Sequence, residues 1–153
     1  NYKVERSLVE AKTLLNELSV FFSDIAKRKG TYIKVEASDN VLVETDERLL
    51  KIILRNLIDN AIKYTTDGLI TLSVSQRSEE VMEIAVQDTG EGMSQEQLEK
   101  LMDKNMFGFP FQIIDKLGFQ IVRDLASLID CRIEVESEIT KGTSIRLYLL
   151  LKK

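Results

Sequence analysis

Histidine is missing from the sequence altogether. Its absence excludes a histidine-activated nucleophile, a histidine metal site and a phosphohistidine within the chain, so any histidine chemistry must come from a partner. A single cysteine, Cys131, cannot form an internal disulfide. Its place between a helical and an alternating pattern suits a small buried thiol in a reducing compartment. The lone proline, Pro110, falls in an irregular stretch and interrupts no periodic segment. No run of Lys and Arg forms a basic patch, and a net charge of −4 with a pI near 5.0 argues against nucleic acid as a partner. Uninterrupted apolar stretches stop far short of the roughly 20 residues that a membrane span needs, and no signal-peptide pattern opens the sequence. Internal repeats, low-complexity segments and linkers are also lacking. The expectation is a soluble piece without membrane contact of its own.

What is present is ordinary in bulk. With 44% apolar and 30% charged residues among 153, the chain suits one globular domain with a real core. Leu8, Ala11, Leu15, Leu18, Phe22 and Ile25 recur at helical spacing and predict an amphipathic helix over roughly 5–28, stopped by Gly30. "TYIKVEA" and "VLVET" alternate as short strands. Thr45 is the predicted N-cap of a helix running to about Tyr64, with Asp46 and Glu47 in its first turn. Ile70, Leu72 and Val74, then Met82, Ile84 and Val86, alternate as a hairpin around a turn near Ser78. Ser94 and Gln97 form a capping box for a short helix. Residues 104–116 show no clear period, 118–130 read as a helix, and "RIEVES" and "TSIRLYLLL" read as strands around the turn "ITKG". Several helices with mostly antiparallel strands predict an α+β fold, a layer of helices on one sheet.

The segment "KIILRNLIDNAIKYTTDG", Lys51 to Gly68, carries an unusual polar stripe. At about 100° per residue, Asn56, Asn60 and Lys63 fall within about 60° of one another with Asp59 at the edge. Leu50, Leu54, Leu57, Ile58 and Ala61 lie opposite. A solvated helix face is one reading, but such faces are usually filled by better helix formers than Asn. The other is a binding face, since an amide offers a neutral oxygen and two N–H donors, suited to a hydrated cation and phosphate oxygens together. Three glycine-bearing turns follow: "DTGEGM" directly after a strand, "KLGFQIV" with Gly118 at a helix start, and "TKGTSI" in a hairpin. Each taken alone is compatible with an ordinary turn. Gly118 at a helix N-terminus would also suit phosphate.

In this order and spacing the segments resemble the GHKL (Bergerat) ATP-binding fold, specifically the catalytic ATP-binding domain of sensor histidine kinases. "NLIDNAIKYT" resembles that family's N box, "DTGEGM" its G1 box and "KGTSIRLYL" its last glycine box, and the resemblance covers about residues 8–151. It implies a two-layer α+β sandwich, a mixed and mostly antiparallel sheet on about three helices. Residues 8–153 would form one catalytic domain with an ATP lid at about 104–117, and residues 1–7 the end of a connection from an upstream dimerisation domain.

The resemblance also implies roles. Asn60 would coordinate the Mg²⁺ held by ATP, with Asn56 assisting one turn earlier, and Lys63 would place a mobile positive charge by the phosphates. Asp88 would accept a hydrogen bond from the adenine amine, and Gly90 and Gly92 would let the backbone pass beside the base. Tyr64, Met93, Gly118, Phe119 and Thr143 would complete the nucleotide contacts; packing is an equally simple role for Tyr64 and Thr143. Relatives that hydrolyse ATP for conformational work carry a Glu where this chain has Asn56, and an amide is no general base. The implied activity is therefore protein-histidine kinase: ATP held until a histidine on a separate dimerisation domain attacks it, with a response regulator downstream. The isolated domain is expected to be a cytoplasmic monomer, the family often being membrane-anchored elsewhere.

Two departures stand out. Where the family reads G-L-G-L, this chain has Lys116, Leu117, Gly118 and Phe119. Lys116 either adds a phosphate contact or blocks the backbone approach that a glycine permits. The lid segment "DKNMFGFPFQIID" carries Phe107, Phe109 and Phe111, apolar for a segment that opens and closes. The alternative reading is thus a degenerate GHKL domain, a nucleotide-binding or protein-interaction module without phosphotransfer.

Overall fold

A computed structural model describes residues 2–37, 41–102 and 113–151, with the side chains of 113–117 outside the description. A short strand β1 (Ser7–Glu10) leads into helix α1 (Ala11–Lys27), followed by β2 (Tyr32–Ala37), β3 (Leu42–Thr45) and helix α2 (Glu47–Lys63). The hairpin β4 (Leu69–Gln76) and β5 (Val81–Asp88) comes next, then helices α3 (Gln95–Met102) and α4 (Ile113–Leu128), and the hairpin β6 (Arg132–Glu138) and β7 (Gly142–Leu150). Five strands form one sheet in the order β2-β4-β5-β7-β6, with β2 and β4 parallel and the other pairs antiparallel, while β1 and β3 form a separate antiparallel ribbon. This is the predicted α+β architecture of a mixed sheet under helices. Among the described residues, no helix is long and apolar enough to cross a membrane.

Strand alternation sets the layers. Ile70, Leu72 and Val74 of β4, Met82, Ile84 and Val86 of β5, and Leu147 and Leu149 of β7 are all buried on one face. Antiparallel register puts Ile84 opposite both Val74 and Leu147, so these residues form continuous apolar rows. Helices α1, α2 and α4 pack over that face, with α2 between the other two. Leu50, Ile53, Leu54, Leu57 and Ile58 of α2 are fully buried. Each contributes about 1.5–3 kcal/mol relative to an exposed position, which makes α2 the centre of the core.

Three boundaries differ from the sequence reading. The first helix begins at Ala11, because residues 7–10 pair with β3 as a strand. The alternation there buries Val9 at 1% exposure and leaves Leu8 at 54%, so Leu8 belongs to no helical stripe. Ile25 is likewise exposed. The N-cap of α2 is Asp46, not Thr45: Thr45 ends β3, and the Asp46 side chain accepts from the Leu49 N–H at 3.1 Å. Finally, α4 starts at Ile113, so Gly118 lies in its second turn and not at its first residue. A glycine costs a helix interior only about 1 kcal/mol, so it does not by itself mark a helix start. Residues 103–112, which include most of the expected lid with Phe107, Phe109, Pro110 and Phe111, lie outside the described residues. Elsewhere the reading holds. Ser78 Oγ accepts from the Glu80 and Val81 N–H groups in the predicted turn, and Ser94 and Gln97 make both bonds of the capping box, at 2.8 and 3.1 Å. Cys131 is the expected buried thiol, with burial pushing its pKa up to about 12.

Asp46 does more than cap a helix. Buried at 1% exposure, its carboxylate also accepts from the Glu5 N–H at 2.8 Å and the Tyr2 hydroxyl at 3.0 Å, tying the leading segment to the start of α2. Burial opposes the charge, but these donors outweigh it and hold the carboxyl below its ordinary value. A depressed folded-state value gives stability that is present above the unfolded value and lost as pH falls through the folded one. Asp46→Ala is therefore expected to cost about 1–3 kcal/mol at neutral pH. Urea unfolding at pH 7 and at successively lower pH checks this, and the gap between parent and variant should shrink on acidification.

Candidate functional site

The helix-facing rows of the sheet change character at one end. Asp88 continues the buried alternation of Met82, Ile84 and Val86 but ends it in a carboxylate, and register places Thr143 of β7 beside it and Ser137 of β6 beyond. This polar last rung faces the C-terminal half of α2. Between them lies an open cavity lined by Asn60 and Ala61 of α2, its C-cap Tyr64, Asp88, Gly92, Met93, Phe119 and Thr143, with Gln97, Lys100 and Leu101 of α3 as a further wall.

Asp88 is the most constrained polar group there. Its Oδ1 accepts from the Gly90 N–H at 2.9 Å and from the Thr143 N–H at 3.2 Å. Burial pushes the carboxyl above its ordinary value, and the two backbone donors pull it part of the way back. Thr143 Oγ1 shares a 2.8 Å hydrogen bond with Ser137 Oγ, which also accepts from the Met93 N–H at 2.8 Å. The loop after β5 is thereby fastened to the β6–β7 hairpin, and the Thr140 N–H adds a bond to the Glu91 carbonyl at 2.7 Å.

The glycines of "DTGEGM" make this fastening possible. A Cβ on Gly90 would come 2.3 Å from the Tyr64 carbonyl oxygen, and one on Gly92, which has φ +71°, would come 1.9 Å from the Glu138 carbonyl oxygen. Both positions press on protein backbone, so their tightness follows from the fold itself.

The predicted residues do not all meet in the cavity. Asn60, Tyr64, Asp88, Gly92, Met93, Phe119 and Thr143 line it, and Gly90 stands behind its wall. Asn56 lies outside, where its Nδ2 donates to the Ile52 carbonyl at 2.8 Å. Its Oδ1 is the nearest atom, at 3.9 Å, to the place a Gly118 Cβ would occupy. Lys63 is exposed at the end of α2. Lys116 falls on the first turn of α4, where no side chain is described.

Residues missed from the sequence include Ser137, Gln97, Lys100 and Lys29. Lys29 Nζ donates to the Ile62 carbonyl at 2.6 Å and to the Lys63 carbonyl, capping the C-terminal end of α2. The i, i+3 spacing of Gln97 and Lys100 after a recognised capping box was a usable signal for a shared helix face. Ser137 becomes visible only through strand register, which the sequence alone leaves open.

Because the folded-state value of Asp88 lies above the unfolded one, ionising it costs the folded chain stability as pH rises through that window. Asp88→Asn, which keeps an oxygen for both backbone donors, is expected to melt at the same temperature as the parent or higher at pH 7, the gap closing toward acid pH. Thermal melts across that range check the sign.

Residues 45–153 match the family of histidine kinase-, DNA gyrase B- and HSP90-like ATPases. The chain is 30% identical over 156 residues to the autoinducer 2 sensor kinase/phosphatase LuxQ of Vibrio vulnificus, covering 91% of this chain and 18% of LuxQ. It is 36% identical over 120 residues to the histidine protein kinase DivJ of Caulobacter vibrioides, covering 71% of this chain and 19% of DivJ. The chain thus spans less than a fifth of either relative. Among solved structures, the catalytic domain of histidine kinase ThkA superposes with a TM-score of 0.82 at 21% identity, over 96% of this chain and 97% of that one. Full-length ShkA in complex with AMPPNP gives 0.85 at 23% identity, over 99% of this chain and 32% of that one. The chain belongs to the histidine kinase-, DNA gyrase B- and HSP90-like ATPase family and has the fold of a histidine-kinase catalytic domain.

Proposed function

We propose that this chain is the ATP·Mg²⁺-binding catalytic domain of a two-component sensor kinase, delivering the γ-phosphate of ATP to a histidine on a separate dimerisation domain. The observation that carries the reading is the Asp88 carboxylate in a cavity shared with Asn60. With Oδ1 engaged by two backbone N–H groups, the other oxygen is left to accept from a ligand donor such as the adenine amine. Gly90 and Gly92 hold the loop that presents it, Tyr64, Met93, Phe119 and Thr143 flank the ring and ribose, and Gly118 leaves room on α4 beside Asn56 for phosphate.

The metal fits the donor set. Among the described residues no cluster of three or more His, Cys, Asp or Glu could cage a cation, whereas Asn60 offers a neutral oxygen at the cavity wall. Mg²⁺ keeps several waters and binds through few protein groups plus substrate phosphates, so Asn60, with Asn56 assisting, is a sufficient protein contribution. When bound, the ion neutralises phosphate charge. Lys63 and Lys116 would add positive charge at that end.

Phosphoryl transfer needs positioning and charge stabilisation more than protein-borne chemical groups. An incoming imidazole nitrogen forms the N–P bond as the bond from the γ-phosphorus to the ADP oxygen breaks. Asn56, unlike a carboxylate, cannot activate water for the competing hydrolysis. The names of LuxQ, a sensor kinase/phosphatase, and DivJ, a histidine protein kinase, support this class. A response regulator downstream and a cytoplasmic place for the domain are part of the same proposal. Residues 1–7 would end the connection from the dimerisation domain, and 8–153 would be the catalytic domain with its lid at 104–117.

Calorimetric titration with a non-hydrolysable ATP analogue, with and without Mg²⁺, tests the reading. The expected result is magnesium-dependent binding that Asp88→Asn abolishes and that loses its magnesium dependence in Asn60→Ala. Binding without transfer to a histidine-bearing domain would favour a nucleotide-holding module, the reading supported by Lys116 and the aromatic segment before it. No binding by the parent chain would overturn the kinase assignment.

A further inference from the structure

Gln97, Lys100 and Leu101 of α3 line the cavity, and Met93 lines it one turn earlier. That spacing belongs to a single helical face, so Gln97 stands in the middle of the face that α3 turns to the cavity. It is half-buried and lies in the first turn of the helix. Three bonds fasten that turn to the carboxylate end of the cavity: Met93 N–H to Ser137 Oγ, Ser137 Oγ with Thr143 Oγ1, and Thr143 N–H to Asp88 Oδ1.

The capping box uses only half of the Gln97 amide. Its Oε1 accepts from the Ser94 N–H at 2.8 Å, while its backbone N–H donates to Ser94 Oγ at 3.1 Å. Nε2, which carries two N–H donors, has no hydrogen-bond partner among the described residues. A glutamate here would close the same capping box and would suit the helix N-terminus better, because negative charge is favoured there. It would also bring a third acid to a cavity lined by Asp88 and Glu91. The neutral amide keeps the cap and adds donors instead.

We infer that Gln97 is a ligand-binding residue of this site, donating from Nε2 to the nucleoside part of the bound nucleotide; this rests on the nucleotide reading above. With its exocyclic amine turned to Asp88, adenine has only acceptors left on its ring nitrogens, and ribose hydroxyls accept as well. A second carboxylate would oppose those atoms, whereas an amide N–H matches them. Asp88 and Gln97 thus divide the recognition, one accepting from the ligand and the other donating to it.

The test titrates adenosine, which is neutral, and the ATP analogue into the parent chain, Gln97→Glu, Gln97→Met and Ser94→Ala, with a melting curve for each. Gln97→Glu keeps both capping bonds and should melt no lower than the parent, yet bind adenosine about tenfold more weakly. Gln97→Met keeps the length of the side chain without the donor and should lose about fivefold for both ligands. Ser94→Ala breaks one capping bond and leaves Nε2 in place, so it should melt lower and bind both ligands within about twofold of the parent. Equal affinity of the parent and Gln97→Met for adenosine, or a loss confined to the ATP analogue, would overturn the inference while leaving the nucleotide reading standing. So would a loss in Ser94→Ala as large as in Gln97→Met, which would trace the effect to helix order alone. Failure of the parent chain to bind either ligand would overturn both.

Discussion

The burial of one face of α2 is the constraint on which the rest of the structure depends. Leu50, Ile53, Leu54, Leu57 and Ile58 lie under the sheet rows and between α1 and α4, so the helix can neither rotate nor slide without exposing core. Its ends are held as firmly as its middle. Asp46 takes the free N–H groups at one end, and Lys29 takes the carbonyls at the other, each with the sign of charge that the helix dipole favours. The opposite stripe with Asn56 and Asn60 is then oriented chiefly by that packing, with Asn56 adding a bond from its Nδ2 to the Ile52 carbonyl. That is how a helix built mainly as core can hold polar groups in a set orientation without a costly buried polar network.

The second fixed element is the polar rung of Asp88, Thr143 and Ser137. It sits where the apolar rows of the sheet run out, so its groups are half-buried and their bonds matter. Ser137 Oγ meets Met93 and Thr143 together, while Asp88 Oδ1 gathers Gly90 and Thr143, so the loop after β5 and the β6–β7 hairpin, 44 to 55 positions apart, close on each other beside one carboxylate. The glycines are consequences of that closure. Any side chain at Gly90 or Gly92 would meet a carbonyl oxygen, and the loop would have to leave the hairpin it is bonded to.

Legibility in the sequence followed the range of the interaction. Period-two and helical patterns located the sheet hairpins, the stripe of α2 and the capping box of α3, because each is set by neighbours a few residues away. β1 was misread because Leu8 happens to continue a helical spacing, and only pairing with β3, some 35 residues on, decides it. Thr45 and Asp46 are both good caps by composition; tertiary pairing of β3 through Thr45 passed the role to its neighbour. The site divided the same way. Asp88 and the α2 amides stood in local motifs, whereas Ser137 and Lys29 act through contacts that cross 44 and 33 positions and leave no mark on their own surroundings.

Holding a carboxylate half-buried opposes stability, since burial penalises the charged form and raises the Asp88 pKa. Neutral replacements that satisfy the same two backbone donors are available. An amide would have to turn its oxygen toward the N–H groups of Gly90 and Thr143, leaving its NH₂ facing the cavity. A carboxylate is the side chain that satisfies both donors and still presents an acceptor outward. The energetic cost therefore has a chemical return only if the ligand places a donor there. An exocyclic amine meets that demand and a carbonyl oxygen opposes it. A site that leaves a polar pair unmade discriminates far more strongly than an apolar pocket can by shape, so on the proposed nucleotide reading the outward acceptor of Asp88 would favour adenine over guanine.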